Sequence, residues 1–310
     1  MKLKALILCA VIGCLLLLAA CTPNYHHNDG IVGGTTAIST TPRTAHRTTP
    51  HTTPHNNYYG HRNYGPAVGG NNPTAFSYTE HNLSSNTKKA WGLGKNTDSK
   101  NRPGDALQAQ AQYNHLGAIF IDDKTDRNIY LTFDLGYENG FTPVILDALM
   151  QKSAKATFFV TYDYCKYSPE VVRRIIAEGH ELGNHSWSHP TFPDLPDPDI
   201  RAEIQMLHDY VKENFGYEMR LIRFPRGEFS ERVLALTQEA GYNSVFWSFA
   251  YTDWLTNAQP VPAEAFGKIT QASHPGAIYL LHAVSETNAE IMPRLLDYWF
   301  GNGFKPNLFA

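Results

Sequence analysis

From about Trp91 to the last residue, short runs rich in β-branched and aromatic residues alternate with helix signals. The apolar runs are Asn128-Ile-Tyr-Leu-Thr-Phe-Asp134, Ala156-Thr-Phe-Phe-Val-Thr161, Leu221-Ile-Arg-Phe224, Ser244-Val-Phe-Trp247 and Ala277-Ile-Tyr-Leu-Leu281. Between them lie N-terminal signals for helices. Thr142-Pro143 reads as a cap followed by a first-turn proline, with apolar residues running to Met150. Ser168-Pro169 opens a helix that closes near Gly179, Asp197-Pro198 one that closes at Gly216, and Ser230 one that closes at Gly241. Pro262 starts a fifth, and Thr287 to Phe300 reads as the last. Strand and helix in alternation specify a parallel sheet with helical crossovers. About 190 residues are too few for eight full repeats, so the expected fold is α/β, a distorted and incomplete (β/α) barrel.

Polar residues cluster where such a fold builds its active sites, beyond the carboxyl ends of strands. Asp134 ends an apolar run, where a carboxylate is expensive unless paired or working. His185-Ser-Trp-Ser-His189 spaces two imidazoles four apart; on one helical turn both rings would face a divalent metal. Arg223-Phe-Pro-Arg-Gly227 offers two guanidinium groups on a stiffened turn, suited to orient a carboxylate. His282 ends Leu280-Leu281-His282; beside a carboxylate such as Asp253 its pKa would rise and it could act as a general acid. The bland alternatives are a cap, a surface ion pair and a satisfied core histidine. Five costly groups in equivalent places argue for an enzyme.

Thr132-Phe-Asp134, His185-Ser-Trp-Ser-His189, Arg223-Phe-Pro-Arg-Gly227, Asp253-Trp254 and Leu280-Leu-His282 resemble, in order, the five motifs of the polysaccharide deacetylase family. This is the NodB-homology group, carbohydrate esterase family 4. Thr132-Phe-Asp-Leu-Gly-Tyr-Glu-Asn-Gly140 and Gly183-Asn-His-Ser-Trp-Ser-His-Pro190 look most like its delta-lactam-biosynthetic de-N-acetylases, which act on N-acetylmuramic acid in peptidoglycan, notably spore cortex. The resemblance covers residues 86–310 and implies a distorted barrel that hydrolyses acetyl from an amino sugar. It implies that Asp134 is the general base, His185 and His189 are metal ligands, and Arg223 orients the base. It implies that Asp253 tunes the acid, His282 protonates the leaving amine, and Leu280 meets the acetyl methyl. Arg226 sits where the family's oxyanion-binding N–H lies, and its side chain could meet the muramic carboxylate; Trp254 is a further substrate contact. A divalent metal, zinc or similar, is implied, but Leu135 stands where most members carry the third, aspartate ligand. The runner-up substrate is peptidoglycan N-acetylglucosamine or another polysaccharide. Two other classes stay open: a non-catalytic glycan-binding lipoprotein, which Leu135 alone favours, and a glycosidase using Asp134 and Asp253.

The start of the chain reads as export machinery. Lys2 and Lys4 precede an uncharged run from Ala5 to Ala20, short for a membrane span. Leu18-Ala-Ala-Cys21 resembles a bacterial lipoprotein signal, so residues 1–21 are expected to leave a lipidated Cys21 on a membrane facing the cell wall or periplasm. Residues 22–85 read as a disordered linker, rich in Thr, Pro and His, with Thr-Thr-Pro at 40–42, 48–50 and 52–54. Cys165 is the cysteine left for the folded region, so no intramolecular disulfide is expected there. Lys and Arg number 26 against 29 Asp and Glu, without a basic stripe, which excludes nucleic acid as a partner. The expected partner is a peptidoglycan strand, and the expected state a monomer.

Overall fold

The segment Asn128–Leu135 is buried along nearly its whole length, and the rest of the protein is arranged around it. A strand flanked on both faces has to be apolar on both, so it reads as a continuous run rather than an alternation. The computed structural model describes residues 85–124 and 127–309. The expected signal, Cys21 and the linker as far as residue 84 lie outside the described residues.

The strands in chain order are β1 (Lys89–Ala90), β2 (Ala118–Ile119), β3 (Asn128–Leu135), β4 (Thr157–Val160), β5 (Glu181–Asn184), β6 (Leu221–Ile222), β7 (Glu228–Phe229), β8 (Asn243–Val245), β9 (Phe249–Ala250), β10 (Ala277–His282) and β11 (Lys305–Pro306). The α-helices are α1 (Gly104–Tyr113), α2 (Thr142–Gln151), α3 (Tyr162–Tyr167), α4 (Pro169–Ala177), α5 (Asp197–Phe215), α6 (Glu231–Glu239), α7 (Pro262–Gln271) and α8 (Glu286–Gly301). A parallel sheet runs β2-β8-β6-β5-β4-β3-β10-β9, with β11 added beside β3. The antiparallel pair β1–β7 stands apart.

The expected incomplete barrel is what forms, and its distortion has a location. β8 pairs with β2 and β6 near one end of the sheet, while β9 pairs with β10 at the other. Residues 246–248 therefore carry the chain from one end to the other, with Phe246 N donating to Ile119 O at 2.8 Å and Ser248 N to Ile278 O at 2.9 Å. Carbonyls in such a stretch need other donors. Arg223 Nε donates to Val245 O at 3.1 Å and its Nη2 to Phe246 O at 3.0 Å. Trp91 Nε1 donates to Trp247 O at 2.9 Å. The break in the barrel is thus the seat of Arg223.

Helices cover the sheet with aliphatic and aromatic side chains. Ile145, Leu146 and Leu149 of α2 and Leu295, Leu296 and Trp299 of α8 are fully buried, as are Leu131, Phe133 and Phe158 beneath them. Each such side chain contributes roughly 1.5–3 kcal/mol relative to exposure. The cap signals held with small displacements. Ser230 Oγ accepts from Val233 N, and Gly216, at φ 67°, ends α5. Thr142 is not a cap: it lies inside α2, and Glu138 Oε1 accepts its N–H instead. The last helix begins at Glu286 under a Ser285 cap, one residue before the expected start. Helices α1 and α3 were not expected: α1 follows Pro103 without a side-chain cap, and α3 is six residues long and ends at Ser168 rather than a glycine.

Candidate active site

Parallel pairing in register aligns the carboxyl ends of neighbouring strands, and this alignment assembles the site. Asp134 on β3 pairs directly with His282 on β10, so the two Cα atoms sit one strand spacing apart, about 4.8 Å. Leu280 precedes His282 by two residues and shares its face, with Thr132 of β3 as its neighbour. His185 follows β5 immediately, and Arg223 follows β6, whose Ile222 pairs with Asn184.

Arg223 is fully buried, and Asp134 is its counterion: Nη1 donates to Asp134 Oδ1 at 2.9 Å. Its guanidinium lies 4.4 Å from the centre of the Phe159 ring. That ring needs the space that Gly183 leaves, since a β-carbon there would meet it at 2.4 Å. Burial raises the Asp134 pKa, but the charges of Arg223, His185 and His282 outweigh it and hold the carboxyl below its ordinary value. Asp134 is therefore ionised at neutral pH, with Oδ2 turned away from the arginine and 3.7 Å from His185 Nε2.

The histidine pair does not sit on a helical turn, as its spacing suggested. It sits on a loop with Ser186 at φ 72° and His189 at φ 60°. Local side chains hold that turn. Asn184 Oδ1 accepts from Ser186 N at 2.8 Å, Ser186 Oγ from His189 N at 2.9 Å, and Glu203 of α5 from Ser188 N at 2.8 Å. The rings end up edge to face with centroids 5.1 Å apart. His185 Nδ1 lies 2.8 Å from Arg223 O, so it carries the proton and leaves Nε2 with a free lone pair. Burial pushes the pKa of His185 down; burial and the charges of His185 and Arg226 push that of His189 down to about 3.

The second half of the site, around His282, is separate. Asp253 is fully buried; its Oδ1 lies 2.7 Å from His282 Nδ1, and its Oδ2 accepts from His282 N at 2.8 Å. Burial lowers the His282 pKa, but the hydrogen bond and charge of Asp253, with help from Asp134, raise it above its ordinary value. His282 is the part of this pair that reaches solvent, with 23% of its side chain exposed. Trp254, 48% exposed, stands beside it with ring centroids 5.5 Å apart. Both oxygens of Asp253 are engaged and out of reach of any substrate, which removes the two-carboxylate glycosidase reading.

Arg226 adopts φ 58° and presents its side chain beside His189, 43% exposed. Its Nε donates to Glu228 Oε2 at 3.1 Å, and its Nη2 donates to Thr191 Oγ1. The next residue, Gly227, has φ 66°, and a β-carbon on it would lie 2.4 Å from Trp247.

Comparisons with known proteins identify a family for the chain. Residues 122–245 match the family model for polysaccharide deacetylase. Peptidoglycan-N-acetylmuramic acid deacetylase PdaA of Bacillus subtilis is 40% identical over 204 residues, which are 65% of this chain and 77% of PdaA. This chain belongs to the polysaccharide deacetylase family. The solved structure of Bacillus subtilis PdaA, a family 4 carbohydrate esterase, superposes with a TM-score of 0.68 at 36% identity, over 71% of this chain and 94% of that one. A family 4 carbohydrate esterase from Bacillus anthracis gives a TM-score of 0.60 at 38% identity, over 73% and 95%.

A divalent ion prefers nitrogen donors of the kind that His185 and His189 offer, and the lone pair left on His185 Nε2 suits it. Among the described residues a third protein donor is missing. Leu135 is fully buried in the core and pairs with Val160. Among the described residues no three His, Cys, Asp or Glu groups gather as a metal centre. The residues present therefore fit a two-histidine hold, with the remaining positions left to water or substrate. Because position 135 belongs to the core, Leu135→Asp will not create a stronger site. It will leave metal content after dialysis unchanged and lower stability by about 3 kcal/mol, read from the urea midpoint.

Sequence reasoning missed Asn288, fully buried on α8, whose Nδ2 donates to Asp253 Oδ2 at 2.6 Å. It also missed Glu203, which braces the histidine loop. Reading Ser285 as a cap would have placed Asn288 in the first turn, close to His282.

Proposed function

We propose that this deacetylase removes the acetyl group from N-acetylmuramic acid in peptidoglycan. The observation that carries the reading is the Asp134 carboxylate paired in register with His282, one strand spacing apart, with the pKa of the first held below and that of the second above its ordinary value. An ionised base and a proton-carrying acid, held on neighbouring strands, are what acetamide hydrolysis needs.

Asp134 accepts a proton from water as its oxygen attacks the acetyl carbonyl, forming a tetrahedral intermediate. Arg223 holds Asp134 Oδ1, so Oδ2 is the basic oxygen. His282 Nε2 gives its proton to the amine nitrogen; the C–N bond breaks, leaving acetate and a free amine. Asp253 steadies the ring through Nδ1. Leu280 offers an apolar wall for the acetyl methyl, and Trp254 a flat face for the sugar. His185 and His189 would hold a divalent metal, which when bound supplies positive charge for the carbonyl oxygen. The backbone N–H of Arg226 is the remaining oxyanion donor.

Arg226 supports muramic acid over glucosamine. Muramic acid carries a lactyl carboxylate that glucosamine lacks, and an exposed guanidinium fixed by Glu228 and Thr191 is suited to bind one. The freed amine and that carboxyl can then close the muramic delta-lactam of spore cortex. A lipidated Cys21 would hold the enzyme at the membrane face where such strands lie. The test is acetate release from peptide-free muramic glycan and from glucosamine oligomers, with and without chelator. Release from muramic residues, lowered by chelator, is expected. Release from glucosamine residues alone would replace the muramic reading with its runner-up, and release from neither would leave a glycan-binding protein.

A further inference from the structure

The acid half of the site contains one group that no motif includes. Asn288 lies in the first turn of α8, fully buried, with its own N–H accepted by Ser285 Oγ at 3.1 Å. Its amide nitrogen donates twice, to Asp253 Oδ2 at 2.6 Å and to His282 O at 3.1 Å. Carboxylate and carbonyl oxygens accept only, so this side of the amide has to be the NH2. The amide oxygen then faces Tyr251, whose hydroxyl donates to it. Every hydrogen-bonding atom of the Asn288 side chain is used, and each bond tightens the geometry around His282. Gln259 extends the network, with Nε2 donating to Asp253 O at 3.0 Å and Oε1 accepting from Ser285 Oγ at 2.6 Å.

We propose that Asn288 is a positioning residue for the general acid, acting on His282 through Asp253. The inference rests on the proposed role of His282 as proton donor. Asp253 has three donors on its two oxygens: the ring and the backbone N–H of His282, and Asn288. Asp253 is fully buried, so bulk solvent does not reach it to replace a lost donor. With Asn288 in place, part of the carboxylate's charge is absorbed by the amide. His282 is oriented, yet its proton remains transferable. Without Asn288, that charge falls back on the imidazolium and holds the proton harder.

The other groups that act on His282 are fixed independently. Asp134 faces it from β3 and favours its charge; Arg223, after β6, opposes it. His185, after β5, shares the same electrostatic field, and Tyr251 touches Asn288 rather than the ring. A change confined to Asn288 therefore reports on Asp253.

Two variants test this. Asn288→Leu removes the donor and keeps most of the volume. Asn288→Asp keeps the shape and sets a second carboxylate against the first. The His282 ring is titrated by nuclear magnetic resonance in the substrate-free protein, and the pH dependence of acetate release is measured beside it. In both variants the ring titration should move up by about half to one pH unit, further for aspartate. The basic limb of kcat should follow, with kcat down about tenfold at neutral pH and KM unchanged. A ring titration that stays put or moves down while the protein remains folded overturns the proposal. Loss of cooperative unfolding in both variants also overturns it, because Asn288 would then serve the fold alone. Acetate release absent from the unaltered protein, with the ring titration still shifting up in the variants, would overturn the deacetylase reading rather than this one.

Discussion

Asp134→Asn will silence deacetylation and weaken the fold in the same molecule. The two effects have one cause. Among the described residues Asp134 is the sole carboxylate bonded to a fully buried Arg223, whose other donors meet the carbonyls of Val245 and Phe246. Asparagine keeps an oxygen for Nη1 but removes the compensating charge. Breaking a buried pair from one side costs about 3–5 kcal/mol, and the retained oxygen places this variant near the lower figure. Loss of a general base lowers rate by roughly 10²–10⁴. Acetate release and a urea titration of the same preparation measure both. If turnover survives the change, Asp134 is not the base and the whole assignment of roles fails. If turnover falls without loss of stability, Arg223 has a second counterion and the account of the barrel break is wrong.

That coupling explains why some of the site could be read in advance and some could not. Asp134 and His282 were legible because each ends a conspicuous apolar run, and the register of a parallel sheet then leaves them side by side. Their partners were legible only as motif members. Nothing in Arg223-Phe-Pro-Arg226 says which arginine goes inward. The decision comes from carbonyls stranded at residues 245 and 246 by a bend that local propensity does not encode. The histidine spacing suggested a helix, whereas left-handed residues at Ser186 and His189 and a distant Glu203 bring the rings together. Leu135 looked like a gap in a metal site. In the fold it is a core residue paired with Val160. Asn288 lies six residues past His282, and only the cap at Ser285 and the turn of α8 fold it back onto Asp253.

Asp253→Asn will move the basic limb of the pH–rate profile downward, opposite to the direction expected for changes at Asn288. In the unaltered protein the His282 pKa lies above its ordinary value, so the ring keeps its proton to higher pH and loses it as pH rises through that raised value. The Asp134 pKa lies below its own ordinary value, so the base stays ionised until pH falls through it. Activity therefore occupies a window bounded below by Asp134 and above by His282. Burial, the opposing influence on His282, is unchanged by the substitution, while the hydrogen bond and charge that overcame it are gone. The upper bound must fall. The neutral amide also presents either an oxygen or an NH2 to Nδ1, so part of the population holds the ring in the wrong tautomer. Together these effects should lower kcat by roughly 10²–10⁴ at neutral pH and leave KM within a few-fold, since Asp253 is shielded from the sugar. Steady-state rates on muramic glycan between pH 5 and 9 would resolve the shift. An upward move of the limb would mean that Asp253 does not supply the charge that keeps His282 protonated, and another carboxylate would have to be found for that role.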